Sequence, residues 1–291
     1  GNLSSKYNFT LPNDDRLLEL LRNPFYLNEY LQNYNKIEGK IIDYTTFKKI
    51  LWNKKILNSS HTKDNLHLNR EKCFLKIAKN RADSGHFFVS VDDFDNKALQ
   101  KLEDDEIIKY DSDNDGYFIT HEICEEWALE KIIERNFNKS GDYKNFFDSL
   151  GSSLPIRRAF RNWLSEQLLI NQDEVKFLIE ESIINDEIES FWKDEILVSV
   201  LLSDYSRVFF QIFENKLLEN NQELLMRISF IIRIACKEID EGFLNLLGLQ
   251  KTDGIALKTL FTKPKGNGWN CVIDFIHKHK QEFGLHNINI I

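Results

Sequence analysis

Asp111-Ser112-Asp113-Asn114-Asp115-Gly116-Tyr117-Phe118-Ile119-Thr120-His121-Glu122 is the stretch on which the fold turns. It fits the pattern D-x-D-x-D-G-x5-E without a mismatch. Read as coordination chemistry, Asp111, Asp113 and Asp115 place three short carboxylates at alternate positions around a hard cation. Gly116 allows the sharp turn, the Tyr117 carbonyl is a ligand, and Glu122 closes the site with two oxygens. Ile107 and Tyr110 before it, and Ile123 and Trp127 after it, sit where the helices of an EF-hand want apolar residues.

The same residues read equally as a hairpin. Residues 107–110 and 117–120 are β-branched and aromatic, as strands are. Asn114-Asp115-Gly116 between them is a hairpin signal. EF-hands come in pairs, and no second loop exists; Asp92-Asp93-Phe94-Asp95 lacks the glycine and the closing glutamate. We therefore read strand–wing–strand in a small winged helix, with the helix from Lys97 before it and a closing helix from Glu122 to Asn136. The calcium loop is the alternative.

Upstream the pattern is helical. Asp14 and Asp15 are N-cap candidates for a helix carrying Leu17, Leu18, Leu20 and Leu21. Asn23-Pro24 ends it, because the residue before proline avoids the helical region. Helices follow over 25–34 and 43–52. Residues 58–65 read as a polar linker, and a helix over 66–82 stops at Gly85. Phe87, Val89 and Val91 suggest a short extended piece. Downstream of residue 140, amphipathic helices alternate with polar breaks at 151–153, 171–173, 203–204, 220–221 and 251–254. A turn-rich loop over 263–269 leads into a helix over 269–282. No sequence period proves a repeat, but the alternation suits a solenoid-type stack. The expected fold is mainly α. Its parts are a helical segment over 1–58, a winged-helix domain over 59–139 and a repeat-like helical arm over 140–291.

Composition agrees. The 12 glycines and 4 prolines are few for 291 residues, so turn-dense sandwiches are excluded. The net charge of −8 argues against a general nucleic-acid binder. The acidic run Glu103–Glu106 and the acidic wing would repel DNA phosphate, which leaves a DNA-binding regulator as a second, weaker alternative. Cys73, Cys124, Cys236 and Cys271 lack zinc spacing and read as buried thiols of a cytoplasmic protein. No run of about 18 apolar residues marks a membrane span. Gly1-Asn2-Leu3 has no initiator Met, and the chain is expected to be a piece of a longer polypeptide. Trp52, Trp127, Trp163, Trp192 and Trp269 read as core anchors. No Ser/His/Asp or Cys/His arrangement suggests a nucleophile. His277 and His279 point to different helix faces and cannot share a metal. Arg157, Arg158 and Arg161 could meet phosphate or an acidic partner, although local ion pairs explain them as well.

Three stretches carry a resemblance. Leu20-Leu-Arg-Asn-Pro24-Phe-Tyr-Leu27 resembles the lid helix of STAND-class signalling NTPases. Ile107-Ile-Lys-Tyr110, with Gly116-Tyr-Phe-Ile-Thr-His121-Glu-Ile-Cys-Glu-Glu-Trp-Ala128, resembles the winged-helix end of the same class. Ser153-Leu-Pro-Ile-Arg-Arg-Ala-Phe-Arg-Asn-Trp-Leu164 resembles the start of the helical sensor arm in large bacterial members, including antiviral ones. The resemblance implies that Pro24 packs on a nucleotide base and that His121 senses the phosphates of ADP. It departs at one point: no G-x-x-x-x-G-K-[ST] and no apolar strand ending in paired acids is present. The chain is then expected to be no enzyme alone and to carry no cofactor itself. ADP or ATP with magnesium would belong to the full-length protein. Its partners would be the NTPase core of the same polypeptide and, on activation, further copies.

Overall fold

In the first part of the chain, side-chain caps set where the helices begin. Asp14 accepts from Leu17 N at 2.9 Å and starts α1 (Asp15–Leu20). Its second oxygen accepts from Tyr44 N at 3.0 Å, tying the start of α1 to that of α3. Asn23 accepts from Phe25 N, and Pro24 takes the first position of α2 (Pro24–Ile37), where its missing N–H costs nothing. Asp43 caps α3 (Tyr44–Leu51), which continues without a break as a π-helix over Trp52–Leu57. Asn58, left-handed at φ 49°, ends it. These are the elements of a computed structural model that describes residues 11–37, 42–58, 65–90, 93–248 and 260–283.

The long helix α4 (Leu66–Ser84) stops at Gly85, whose φ of 69° suits glycine. Asp95 caps α5 (Asn96–Asp104). Strands β1 (Ile108–Asp111) and β2 (Gly116–Ile119) pair antiparallel with Ile108 opposite Ile119. Val89 adds a bridge to Tyr117 on the far side of β2, through reciprocal bonds of 2.9 Å. Then comes α6 (Glu122–Lys139). The residues continue as α7 (Tyr143–Leu150), α8 (Leu154–Ile170), α9 (Gln172–Ile184), α10 (Ser190–Leu202), α11 (Ser206–Ile212), α12 (Glu214–Leu218) and α13 (Glu223–Ala235). Short strands β3 (Lys237–Ile239) and β4 (Thr262–Pro264) flank α14 (Glu241–Leu246), and α15 (Gly268–Lys278) follows.

The mainly helical expectation holds, with two small antiparallel hairpins. One of them corrects the reading of the arm as helices alone: β3 pairs with β4, Lys237 opposite Pro264. Glu238 draws in Lys263 and Lys265 at 3.4 and 3.6 Å. The last helix ends at Lys278 rather than near 282. The expected breaks at 251–254, most of the 58–65 linker and Val91 lie outside the described residues.

Contacts divide the chain into two units, Gly1–Leu129 and Glu130–Ile291. In the first, Leu17, Phe47, Phe74, Ile77, Leu102 and Trp127 are almost fully buried. Each such side chain stabilises by about 1.5–3 kcal/mol. Trp127 donates to the Tyr44 hydroxyl at 2.9 Å, joining α6 to α3. In the second, α8 packs on α9 and α10, and α10 on α13. Phe146, Phe147, Phe160, Trp163 and Trp192 form an aromatic cluster with centroids 5.0–6.3 Å apart. This unit also leaves apolar side chains outside: Met226, Phe230 and Ile234 at helical spacing on α13, and Phe243 and Leu246 on α14. All four cysteines are buried and free. No helix among the described residues is long and apolar enough to cross a membrane.

Candidate functional site

Pro24 and His121, ninety-seven residues apart in sequence, both lie in the first unit, where the residue after Pro24 meets the histidine. Pro24 is exposed at the start of α2. The next residue, Phe25, lays its ring on the His121 imidazole at a centroid distance of 3.9 Å and an interplanar angle of 24°. Tyr26 meets the same imidazole at 6.3 Å. His121 immediately precedes α6, and its carbonyl accepts from Cys124 N at 2.9 Å. A helix N-terminus carries positive character, and here the first turn also holds the acidic Glu122 and Glu125. Among the described residues, neither ring nitrogen of His121 has a hydrogen-bond partner. Partial burial, reinforced by the Lys55 charge, lowers its pKa from the ordinary 6.5, while Glu106 pulls the other way. These surroundings disfavour the charged imidazolium.

Lys55, on the π-helix, stands 5.6 Å from the centre of the Phe25 ring. With Phe25, Leu51, Trp52, Ile56, Ile107, Cys124 and Trp127 it lines a small apolar cavity. Glu29 of α2 holds it at 3.0 Å and holds Lys54 at 2.7 Å. Burial pushes the Glu29 carboxyl up, but the two ammonium groups more than offset this and leave its pKa below the ordinary value. The Cys124 thiol is pushed up to about 12 by burial, so it supplies no thiolate.

The calcium-loop residues do not converge. The residues before the loop form a strand, not a helix. One Asp111 oxygen accepts from Asp113 N, Asn114 N and Asn114 Nδ2 at 2.9–3.1 Å, closing its own turn. Asp115 accepts the Tyr110 hydroxyl at 2.5 Å. The Tyr117 carbonyl is taken by Val89 N at 2.9 Å, and Glu122 is exposed on the first turn of α6. Among the described residues no three His, Cys, Asp or Glu side chains are grouped to hold a metal ion. Gly116 does not make the turn. Asp115 carries the left-handed φ of 46°. Gly116 is needed because a Cβ there would lie 3.1 Å from Phe88 Cβ and from Val89 N.

Arg157 and Arg161 meet a buried carboxylate within the second unit. Arg157 donates to Glu195 at 2.9 Å and Arg161 at 2.7 Å, and Glu195 is buried. Arg157 also lies over the Phe191 ring at 4.9 Å. Arg158 is exposed. Sequence reading missed Lys55, Glu29 and Arg70. For the first two no local signal exists, since their pairing spans two helices. Arg70 had one: it occupies an apolar position of the α4 stripe, one turn after Leu66 and one before Phe74. No protein-family model matches the sequence, and no curated protein gives a significant match.

Proposed function

We propose that this chain is the regulatory half of a STAND-like signalling NTPase, coupling nucleotide state to ligand-driven assembly in the cytoplasm. In this reading the first unit holds the lid helices and a winged helix, and the second is a solenoid-type sensor arm. The chain carries no hydrolytic chemistry alone. Pro24 meets the base of ADP, and His121 donates to its phosphates, with the nucleotide held against an NTPase core in the same polypeptide. The observation that carries the reading is the stacking of Phe25, next to Pro24, on an imidazole that precedes an 18-residue helix and whose nitrogens have no partner among the described residues. A histidine–phosphate bond is worth about 1.5–3 kcal/mol. That shifts a two-state resting equilibrium by about ten- to a hundredfold. The test is His121→Ala in the full-length protein, read as ADP retention and trigger-independent assembly. Lower retention with more assembly supports the reading. Equal retention, or a variant that no longer folds, assigns His121 a structural role and overturns it.

A further inference from the structure

Glu29 is a buried carboxylate with two ammonium groups on it. Lys54 reaches one oxygen at 2.7 Å and Lys55 the other at 3.0 Å. One cation neutralises it, so the second is in surplus. The two lysines are not equivalent. Lys54 also donates to Gln32 at 3.0 Å, on the same helix as Glu29. Lys55 instead stands 5.6 Å from the centre of the Phe25 ring, which stacks on His121, and lines the small cavity bounded by Phe25. Its side chain is one-quarter exposed, so an anion arriving at His121 can reach it.

We propose that Lys55 is the second cation of the His121 site, held in reserve by Glu29 and released to a phosphate group when one binds. The inference rests on the nucleotide reading of His121 and adds a residue and a mode of regulation to it. Before binding, Glu29 fixes the Lys55 ammonium near the imidazole and masks its charge. A di- or triphosphate offers Lys55 several oxygens with more charge than a carboxylate already matched by Lys54. Lys55 changes partner while Lys54 keeps Glu29 neutralised, so no buried carboxylate is stranded. The acidic Glu122 and Glu125 on the first turn of α6 oppose an anion, which is why a second cation is needed there.

The experiment titrates the 291-residue chain with ADP and with inorganic pyrophosphate at low ionic strength, following the His121 ring by NMR. Wild type is expected to show a saturable shift with both, weaker than with the NTPase core present, because His121 and Lys55 lie on this chain and meet the phosphates directly. Lys55→Gln should weaken binding about tenfold, and Lys54→Gln should leave it nearly unchanged. Glu29→Gln should tighten it several-fold, and that gain should vanish when Lys55 is also Gln. Without ligand, Lys55→Gln should raise the His121 pKa, since a cation beside the ring is removed. Binding that His121→Ala abolishes but Lys55→Gln leaves intact overturns the role of Lys55 alone. A Glu29→Gln gain that persists without Lys55 reduces Glu29 to a through-space charge and overturns the reserve mechanism. No saturable shift with either probe, or full binding by His121→Ala, overturns the site itself.

Discussion

Arg70 occupies a position where the helical stripe calls for an aliphatic side chain, and it is fully buried. Its guanidinium donates to the carbonyls of Lys55 at 2.6 Å, Ile56 at 2.9 Å and Lys101 at 2.7 Å, and to Asp105 at 2.7 Å. Those carbonyls lie in the last turns of the π-helix and of α5, where helices leave acceptors unmet and carry negative character. One arginine thus closes two helix ends. Arg70→Met keeps the volume and strands the acceptors, so unfolding free energy should fall by about 3–5 kcal/mol. A denaturant midpoint within about 1 kcal/mol of wild type would contradict this assignment. Glu29 gives a pH-dependent counterpart. Its native pKa lies below the ordinary 4.5, so its stabilisation is complete above that value and is lost as the pH falls through the lower native one. The stability difference between wild type and Glu29→Gln should therefore shrink as the pH falls below the ordinary carboxylate value of 4.5. A difference that stays constant would show that Glu29 does not act as a carboxylate.

Among the elements, the 108–119 hairpin was legible because β-branched and aromatic runs flank a turn sequence, and pairing those runs hides Ile108 and Ile119. Its glycine was legible as a requirement but for the wrong reason. A turn motif suggests conformational freedom, whereas the constraint comes from Phe88 and Val89 crossing over Gly116. Gly116→Ala should lower stability by about 1–3 kcal/mol through that crowding. An unchanged melting temperature would mean that the Val89 bridge gives way freely. The β3–β4 hairpin was not legible. Three residues per strand are too few to show a period of two, and the strands are separated by α14 and the segment after it. The π-helix after α3 was equally silent, because the sequence simply continues in helical residues until left-handed Asn58.

At the scale of the whole molecule, the sequence showed which residues carry chemistry-bearing groups but not which of them meet. Pro24 and His121 were singled out separately, and only the tertiary fold lays Phe25 on the imidazole. The arginines of α8 looked available until Glu195, on α10, was brought beneath two of them. Arg70 and Glu195 are buried in different units. Arg70→Met and Glu195→Gln should be additive in stability to within about 0.5 kcal/mol. A larger coupling energy would show that the division at Leu129 does not separate their energetics. The outward apolar residues of α13 and α14 also bear on how the protein behaves as a colloid. With a net charge of −8 at pH 7 and a pI near 5.5, mutual repulsion keeps copies apart at neutral pH and fades on mild acidification. Solubility, read by light scattering, should pass through a minimum near pH 5.5 that deepens with ammonium sulfate, and Phe230→Glu should make the minimum shallower.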